Sequence, residues 1–406
     1  MNKNVFAGTF AGVLAVALMM GPALSGITPT ADAQAQPETQ GKTKNVLLVA
    51  EEVVVDVAPD NALHPGGVKY NAMTFNGTIP GPVIAVDQGD TLNVTLRNDG
   101  KAIHSLDFHA GIGPSEATGS GVLKPGESKT WSLKTDEGGA WMYHCGADGL
   151  NGVWEHIANG MYGMVVVHPQ NEKPAKEFYL TFSELYNTAG GGAFNDTKGV
   201  VGTFDLNKFM EGQPDLVLTN GMAHKYVPAI GSVAKLDLNK DAEVFKVKPG
   251  ELTRWYMFNP GPNDGVSFHF INGQIDIHDG FIKNRYGTQA LSEETWWIPP
   301  GSASVIESTF PEEGLYVGVD HQMRDVVKGG AFAVLAANNS TANDHPEGTW
   351  VPPKGSAVVA GNATTSGNQT STGTPEEAQF PAEQNMTGSA ANTTITEGVS
   401  PNVTAG

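Results

Sequence analysis

The chain has 406 residues, a formal charge of −19, 50 glycines and one cysteine. The charge argues against a nucleic-acid partner and suits a soluble protein, including one that meets a basic partner, while a lone cysteine excludes an intrachain disulfide. Abundant glycine with little helical periodicity predicts an all-β protein rich in turns, long enough for two or three domains.

Residues 1–35 read as an export signal: Lys3, the apolar run FAGTFAGVLAVALMMG, and Ala31-Asp32-Ala33 before a mature start near Gln34. The other reading is an uncleaved membrane anchor; no later segment is apolar enough to span a bilayer. The expected location is outside the cytoplasm: periplasmic, pseudoperiplasmic or extracellular. NVLLVAEEVVVD (44–55) predicts a strand. PVIAVDQGDTLNVTLRNDG (82–100) predicts two strands joined at Gln88-Gly89-Asp90, with Leu92, Val94 and Leu96 on one face. Strands also follow at 123–135, at AWMYHC and at GMVVVHP (163–169).

The pattern then recurs. VFKVKPGELTRWYMFNPG (244–261) repeats the earlier strand pair, matching Gly89 with Gly250, Asn98 with Asn259 and Gly100 with Gly261. Pro125-Gly126 recurs as Pro300-Gly301, Gly139 as Gly314, and His269 aligns with His104. Two tandem β-sandwich domains follow, at 36–170 and 171–336. Residues 337–406, rich in Asn, Thr and Ser with many N-x-[ST] triplets, predict a disordered tail, of which Trp350 is expected to dock back on the core.

Cys145 is followed by His156 and Met161 and joined by His104 from a separate strand. A thiolate, two imidazoles and a thioether are the donor set of a type 1, electron-transfer copper. Neighbouring side chains on a strand point to opposite faces, so if Cys145 faces this copper, His144 faces away. His144 and His109 then suggest a second, catalytic metal with an open position, its third ligand drawn from the second repeat, where His321 is the best placed; two surface histidines would fit the spacing as well. Asp107 and His269 are suited to carry protons there, although a core histidine would also explain His269.

The runs IHSLDFH, YHC…H…M, FHFI, EETWWIP and VDHQM, in this order over about residues 45–335, resemble the copper-containing nitrite reductases. The resemblance implies two Greek-key cupredoxin domains per chain, a homotrimer, and one type 1 and one type 2 copper per subunit. It implies type 1 copper on His104, Cys145, His156 and Met161, and type 2 copper on His109, His144 and His321 of the neighbouring subunit. It makes Asp107 and His269 the proton-delivering pair, Ile271 a wall of the substrate pocket, and Glu294 and Thr295 groups that orient the histidine. The activity it implies is one-electron reduction of nitrite to nitric oxide, the electron coming from a small cupredoxin or cytochrome-like donor and passing from type 1 to type 2 copper through Cys145-His144.

Three departures stand out: a longer Cys145–His156 loop, Gln274 for a common His, and Asp320-His321 for Asn-His. His64, His168, His224, His278 and His345 match no role in the family, and of these His278 is the closest in sequence to the pocket. The rivals are the same architecture acting on hydroxylamine, a copper protein that only carries electrons, and a two-domain laccase-like oxidase. The last would need His-Cys-His, and position 146 is Gly.

Overall fold

The structure is a computed structural model. It describes residues 41–349 apart from 114–120, 148, 150–151, 192–198, 233–234, 239–241, 272, 279–289, 342–343, 345 and 347–348. The export signal, Trp350, His345 and most of the tail lie outside the described residues. No helix among the described residues is long and apolar enough to cross a membrane.

The first half contains β1 (Thr43–Ala58), β2 (Val68–Phe75), β3 (Ile84–Asp87), β4 (Thr91–Asn98), β5 (Asp107–Phe108), β6 (Ser128–Lys134), β7 (Gly139–His144), helix α1 (Val153–Ala158) and β8 (Tyr162–His168). The second contains β9 (Lys176–Leu185), β10 (Val201–Gly202), helix α2 (Leu206–Met210), β11 (Leu216–Thr219), β12 (Ala229–Ser232), β13 (Lys235–Leu238), β14 (Phe245–Val247), β15 (Leu252–Gly261), β16 (Val266–Phe270), β17 (Ile275–Ile277), β18 (Ala290–Glu293), β19 (Trp296–Ile298), β20 (Ser302–Thr309), β21 (Gly314–Asp320), helix α3 (Met323–Lys328) and β22 (Ala331–Ala336). In β4 the alternation works as its sequence predicts: Leu92, Val94 and Leu96 are buried, and Arg97 is exposed.

The two halves build the same pair of sheets. In the first, β2-β1-β4-β6 faces β3-β8-β7-β5; in the second, β9-β15-β20-β17-β18 faces β14-β22-β21-β16-β19. Both halves place a parallel pair in each sheet, β1 with β4 and β3 with β8, then β9 with β15 and β14 with β22. Parallel neighbours need crossovers between sheets, which makes each half a Greek-key sandwich rather than a run of hairpins. The strands joined at Gln88-Gly89-Asp90 therefore do not pair. Gly89 (φ 91°) turns the chain from one sheet to the other, and Asp90 ties the corner by accepting from the Lys42 and Asp87 N–H groups, at 2.8 and 3.1 Å.

Hydrogen bonds fix the internal alignment residue by residue. Asn98 Nδ2 donates to the Ala102 and Leu123 carbonyls, both at 2.9 Å, and Asn259 Nδ2 donates to those of Asp264 and Ile298, both at 3.0 Å. His104 bridges Leu123, whereas Val266 pairs with Ile298. Val266, not His269, is thus the counterpart of His104. His269 pairs with Val319 as Asp107 pairs with His144, so its counterpart is Asp107. The motif match was off by three residues because it aligned one imidazole with another. In the first half Cys145 N–H donates to Met161 O and Met161 N–H to His156 O, each at 3.0 Å; in the second Asp320 N–H donates to Gly330 O at 3.0 Å and Gly330 N–H to Asp325 O at 2.7 Å. Val266, Asp320, Asp325 and Gly330 hold the places of His104, Cys145, His156 and Met161, and they lack that donor set.

Each sandwich has its own core, one around Leu48, Val94, Phe108 and Trp131, the other around Phe178, Trp255, Phe268 and Phe332. A third apolar layer joins the halves: Met142, Tyr162, Met164 and Val166 pack with Leu218, Tyr256, Phe258 and Val305. Two polar clusters flank it. His64 Nε2 lies 2.7 Å from His224 Nδ1, and His224 Nε2 lies 3.1 Å from Val327 O, so that the ring of His224 donates to that carbonyl. Burial holds His64 down at about 4 and His224 at about 3, so the folded pair is neutral where the unfolded chain begins to take up protons. Its contribution to stability is complete above pH 6.5 and is lost as pH falls through about 4. The urea midpoint is expected to fall between pH 7 and pH 4.5, and His64→Gln should flatten that slope. The other cluster surrounds Arg254, which lies within 3.4 Å of Glu172, Glu177 and Glu307; His278 Nε2 is 3.0 Å from Glu307. His278 belongs to this network rather than to the group around His269.

Candidate metal centres

The first centre forms where β7 ends. Cys145 lies just beyond the strand, buried in the core of the first sandwich, while His144 turns to the other side. Cys145 Sγ lies 3.2 Å from His156 Nδ1 and 3.8 Å from His104 Nδ1, and the two Nδ1 atoms are 3.3 Å apart. Met161 is buried in the same cluster, and its carbonyl accepts the Cys145 N–H. His104 arrives by an isolated bridge to Leu123 rather than from a strand.

The long loop places His156 by folding into α1. Trp154 of that helix stacks on Phe209 at 5.2 Å, docking the loop against α2 of the second sandwich. Burial pushes the Cys145 thiol up to about 11, against the opposing pull of the Ser105 N–H, which donates to Sγ at 3.3 Å. Without a cation the thiol would stay protonated at neutral pH; a metal is what would hold it as thiolate. One soft sulfur with two convergent Nδ1 atoms fits copper.

The second centre lies on the far side of β7. The register of β5 with β7 sets Asp107 opposite His144, and the His109 N–H donates to Met142 O. His109 Nε2 and His144 Nε2 come within 3.2 Å, and Asp107 Oδ2 is 3.7 Å from His144 Nε2. His144 Nδ1 donates to Cys145 O at 2.9 Å, and His109 donates to the Gly301 carbonyl of the second sandwich, while the two Nε2 atoms face each other. Burial lowers both imidazoles below their ordinary value, which keeps them neutral, as metal ligands must be.

His321 does not join this group of Asp107, His109 and His144. It sits just past β21, its N–H donating to Ser267 O at 2.7 Å and its ring 5.3 Å from that of His269. His269 Nδ1 donates to the Glu294 carbonyl at 2.6 Å. Glu294 thus orients the imidazole through its backbone, while its carboxylate and Thr295 are exposed. Ile271 is exposed one residue beyond β16, and Trp297 on β19 and Met323, two residues past His321, are exposed as well. Among the described residues, one chain therefore carries two separate groups, Asp107–His109–His144 and His269–His321.

Residues 56–172 match the multicopper oxidase family. A copper nitrite reductase of known structure from Nitrosomonas europaea is 30% identical, with a TM-score of 0.61 over 75% of this chain and 98% of that one. A copper-containing nitrite reductase from Neisseria meningitidis serogroup A is 31% identical over 69% of this chain and 67% of its own length. This chain belongs to the copper-containing nitrite reductases. The Neisseria gonorrhoeae nitrite reductase is 32% identical, with 66% of its length spanned, and that of Alcaligenes faecalis 29%, with 75% spanned. The chain thus spans about two thirds of the Neisseria relatives it matches.

Against this nitrite reductase background, Glu52 is the polar group that the residue patterns miss. Its Oε1 lies 3.0 Å from His104 Nε2, and it accepts the Lys101 and Ala102 N–H groups at 2.7 and 3.0 Å. Burial alone would raise this carboxyl, but His104 and the two N–H donors overcome that and hold it at about 2. The available signal was a charged residue inside the β-branched run VAEEVVVD.

Proposed function

We propose that the protein reduces nitrite to nitric oxide with one electron and two protons, outside the cytoplasm, as a homotrimer fed by a small cupredoxin or cytochrome-like donor. The observation that carries this is the back-to-back placement of Cys145 and His144. One peptide bond joins the buried thiol, between His104 and His156, to an imidazole in the Asp107–His109 group. The proposed ligands are His104, Cys145, His156 and Met161 for type 1 copper, and His109, His144 and His321 of the partner subunit for type 2 copper.

Copper, when bound, supplies a one-electron carrier at the first centre and a Lewis acid for nitrite at the second. The chain's own residues do the rest. The Cys145–His144 peptide link gives the electron a short covalent path. Asp107, half-exposed beside His144, hands one proton to a nitrite oxygen. His269, with Nδ1 fixed on the Glu294 carbonyl, presents Nε2 to give the second, and the oxygen leaves as water. Assembly brings the His269–His321 face of one copy against the Asp107–His109–His144 face of the next, with Ile271 walling the pocket. The exposed Ile271, Trp297 and Met323 support this, because large apolar side chains left in water favour burial in an interface. The signal-like start supports export.

Copper analysis and turnover of the purified chain with reduced donor and nitrite test the proposal. Two coppers per chain with nitric oxide release are expected; four coppers with oxygen uptake would overturn it. Asp107→Asn should keep both coppers and lower turnover about 10²–10⁴-fold, the usual worth of a positioned proton donor. Steady-state rates at matched copper content measure this.

A further inference from the structure

We propose that Glu52 is a positioning residue for the Cys145 centre: its carboxylate fixes His104 with Nδ1 facing Cys145 and, by its charge, lowers the centre's reduction potential. The inference rests on the copper reading of that centre. The two nitrogens of His104 face different partners, Nδ1 toward Cys145 and His156, and Nε2 toward Glu52. An ionised carboxylate accepts and cannot donate, so it commits Nε2 to carrying the hydrogen and leaves the Nδ1 lone pair for a metal. The bonded carboxylate also makes the ring a stronger donor and places a buried negative charge behind it. Both effects favour the oxidised, more highly charged ion.

The backbone is shaped around this contact. Pairing of β1 with β4 stops at Ala50 opposite Asn98, and β1, now paired only with β2, runs on past the turn that leaves β4. There Glu52 meets the Lys101 and Ala102 N–H groups two residues before His104. A Cβ on Gly100 would lie 2.8 Å from Glu52 Oε2, so a side chain there would push the carboxylate from its present place.

The second sandwich contains an internal control. Glu184 on β9 braces the equivalent turn, accepting the Asn263 and Asp264 N–H groups at 2.7 and 3.1 Å, but Val266 stands where His104 would be. Bracing the turn is therefore a role both glutamates share, and the contact with a histidine belongs to Glu52.

The experiment compares the copper-loaded full chain with its Glu52→Gln and Glu184→Gln variants by spectroelectrochemical titration of the thiolate-to-copper absorption. Glu52→Gln is expected to raise the midpoint potential, with about a tenfold weaker preference for the oxidised ion, or about 59 mV for one electron. Glu184→Gln is expected to change stability alone. No shift in Glu52→Gln, or equal shifts in both variants, would overturn the proposal. If Glu52→Gln fails to fold or to load copper, NMR of the wild-type copper(I) form decides: a slowly exchanging His104 Nε2 proton is expected, and rapid exchange overturns it. A wild-type protein without the thiolate-to-copper absorption would sink the copper reading itself, a result distinct from the others.

Discussion

His321→Ala is expected to abolish nitrite reduction while leaving the absorption of the Cys145 centre unchanged. The expected loss is at least about a thousandfold, because a missing Lewis acid costs several kcal/mol and each 1.4 kcal/mol is a factor of ten. The two effects separate because His321 has no part in the group formed by His104, Cys145 and His156. It stands beside His269 on the second sandwich, on a loop pinned by the Ser267 carbonyl. The proposed sharing of the site between subunits has its own test. In the proposed homotrimer, assembled from a mixture of His109→Ala and His321→Ala chains, some interfaces would pair an intact Asp107–His109–His144 face with an intact His269–His321 face. Each variant alone should be inactive, and the mixture should recover part of the wild-type rate. A mixture as inactive as its components would mean that the catalytic metal is completed within one chain. Loss of the thiolate absorption in His321→Ala would mean that His321 serves the first centre.

The first centre was legible because its chemistry depends on residue type and on the two-residue period of a strand. Cys145 and His144 are neighbours at a strand end, and opposite facing follows from that alone. The sandwich repeat was legible through Asn98 and Asn259, whose side chains make the same three hydrogen bonds in both halves. The alignment of His269 was not, because register is set by the bridges to Leu123 and Ile298, and these connect residues distant in the chain. Glu52 escaped for a similar reason. In a strand, a charged residue reads as solvent-facing, and only the lengths of β1 and β4 reveal that β1 outruns its neighbour and meets the next turn. The role expected of Glu294 was legible in position but not in means, since a backbone carbonyl leaves no trace in residue type.

Arg254→Met is expected to be the most destabilising single change outside the metal centres. Arg254 is buried, with Nη1 2.9 Å from Glu177 and 3.4 Å from Glu172, Nε 3.0 Å from Glu307, and Nη2 donating to the Lys173 carbonyl at 2.9 Å. Glu172 lies on the segment between the sandwiches, and Glu177, Arg254 and Glu307 lie on β9, β15 and β20 of one sheet. Removing the guanidinium strands these carboxylates in a poorly solvated place, a change that costs about 3–5 kcal/mol and lowers the thermal midpoint on the order of 10 °C. Its pH dependence separates charge from packing. Burial would raise Glu307, but His278 and Arg254 together hold it at about 2. In the wild type this depressed carboxyl contributes stability that is present above pH 4.5 and lost as pH falls toward 2. In Arg254→Met the carboxyl is held less strongly and takes up a proton at higher pH, which relieves the stranded charge. The stability gap between wild type and variant, measured by urea unfolding, should therefore narrow from pH 7 to pH 4, and Glu307→Gln in the variant background should recover part of the loss at pH 7. A gap that stays constant across this range would mean that Arg254 acts by filling space between the strands rather than by neutralising their carboxylates.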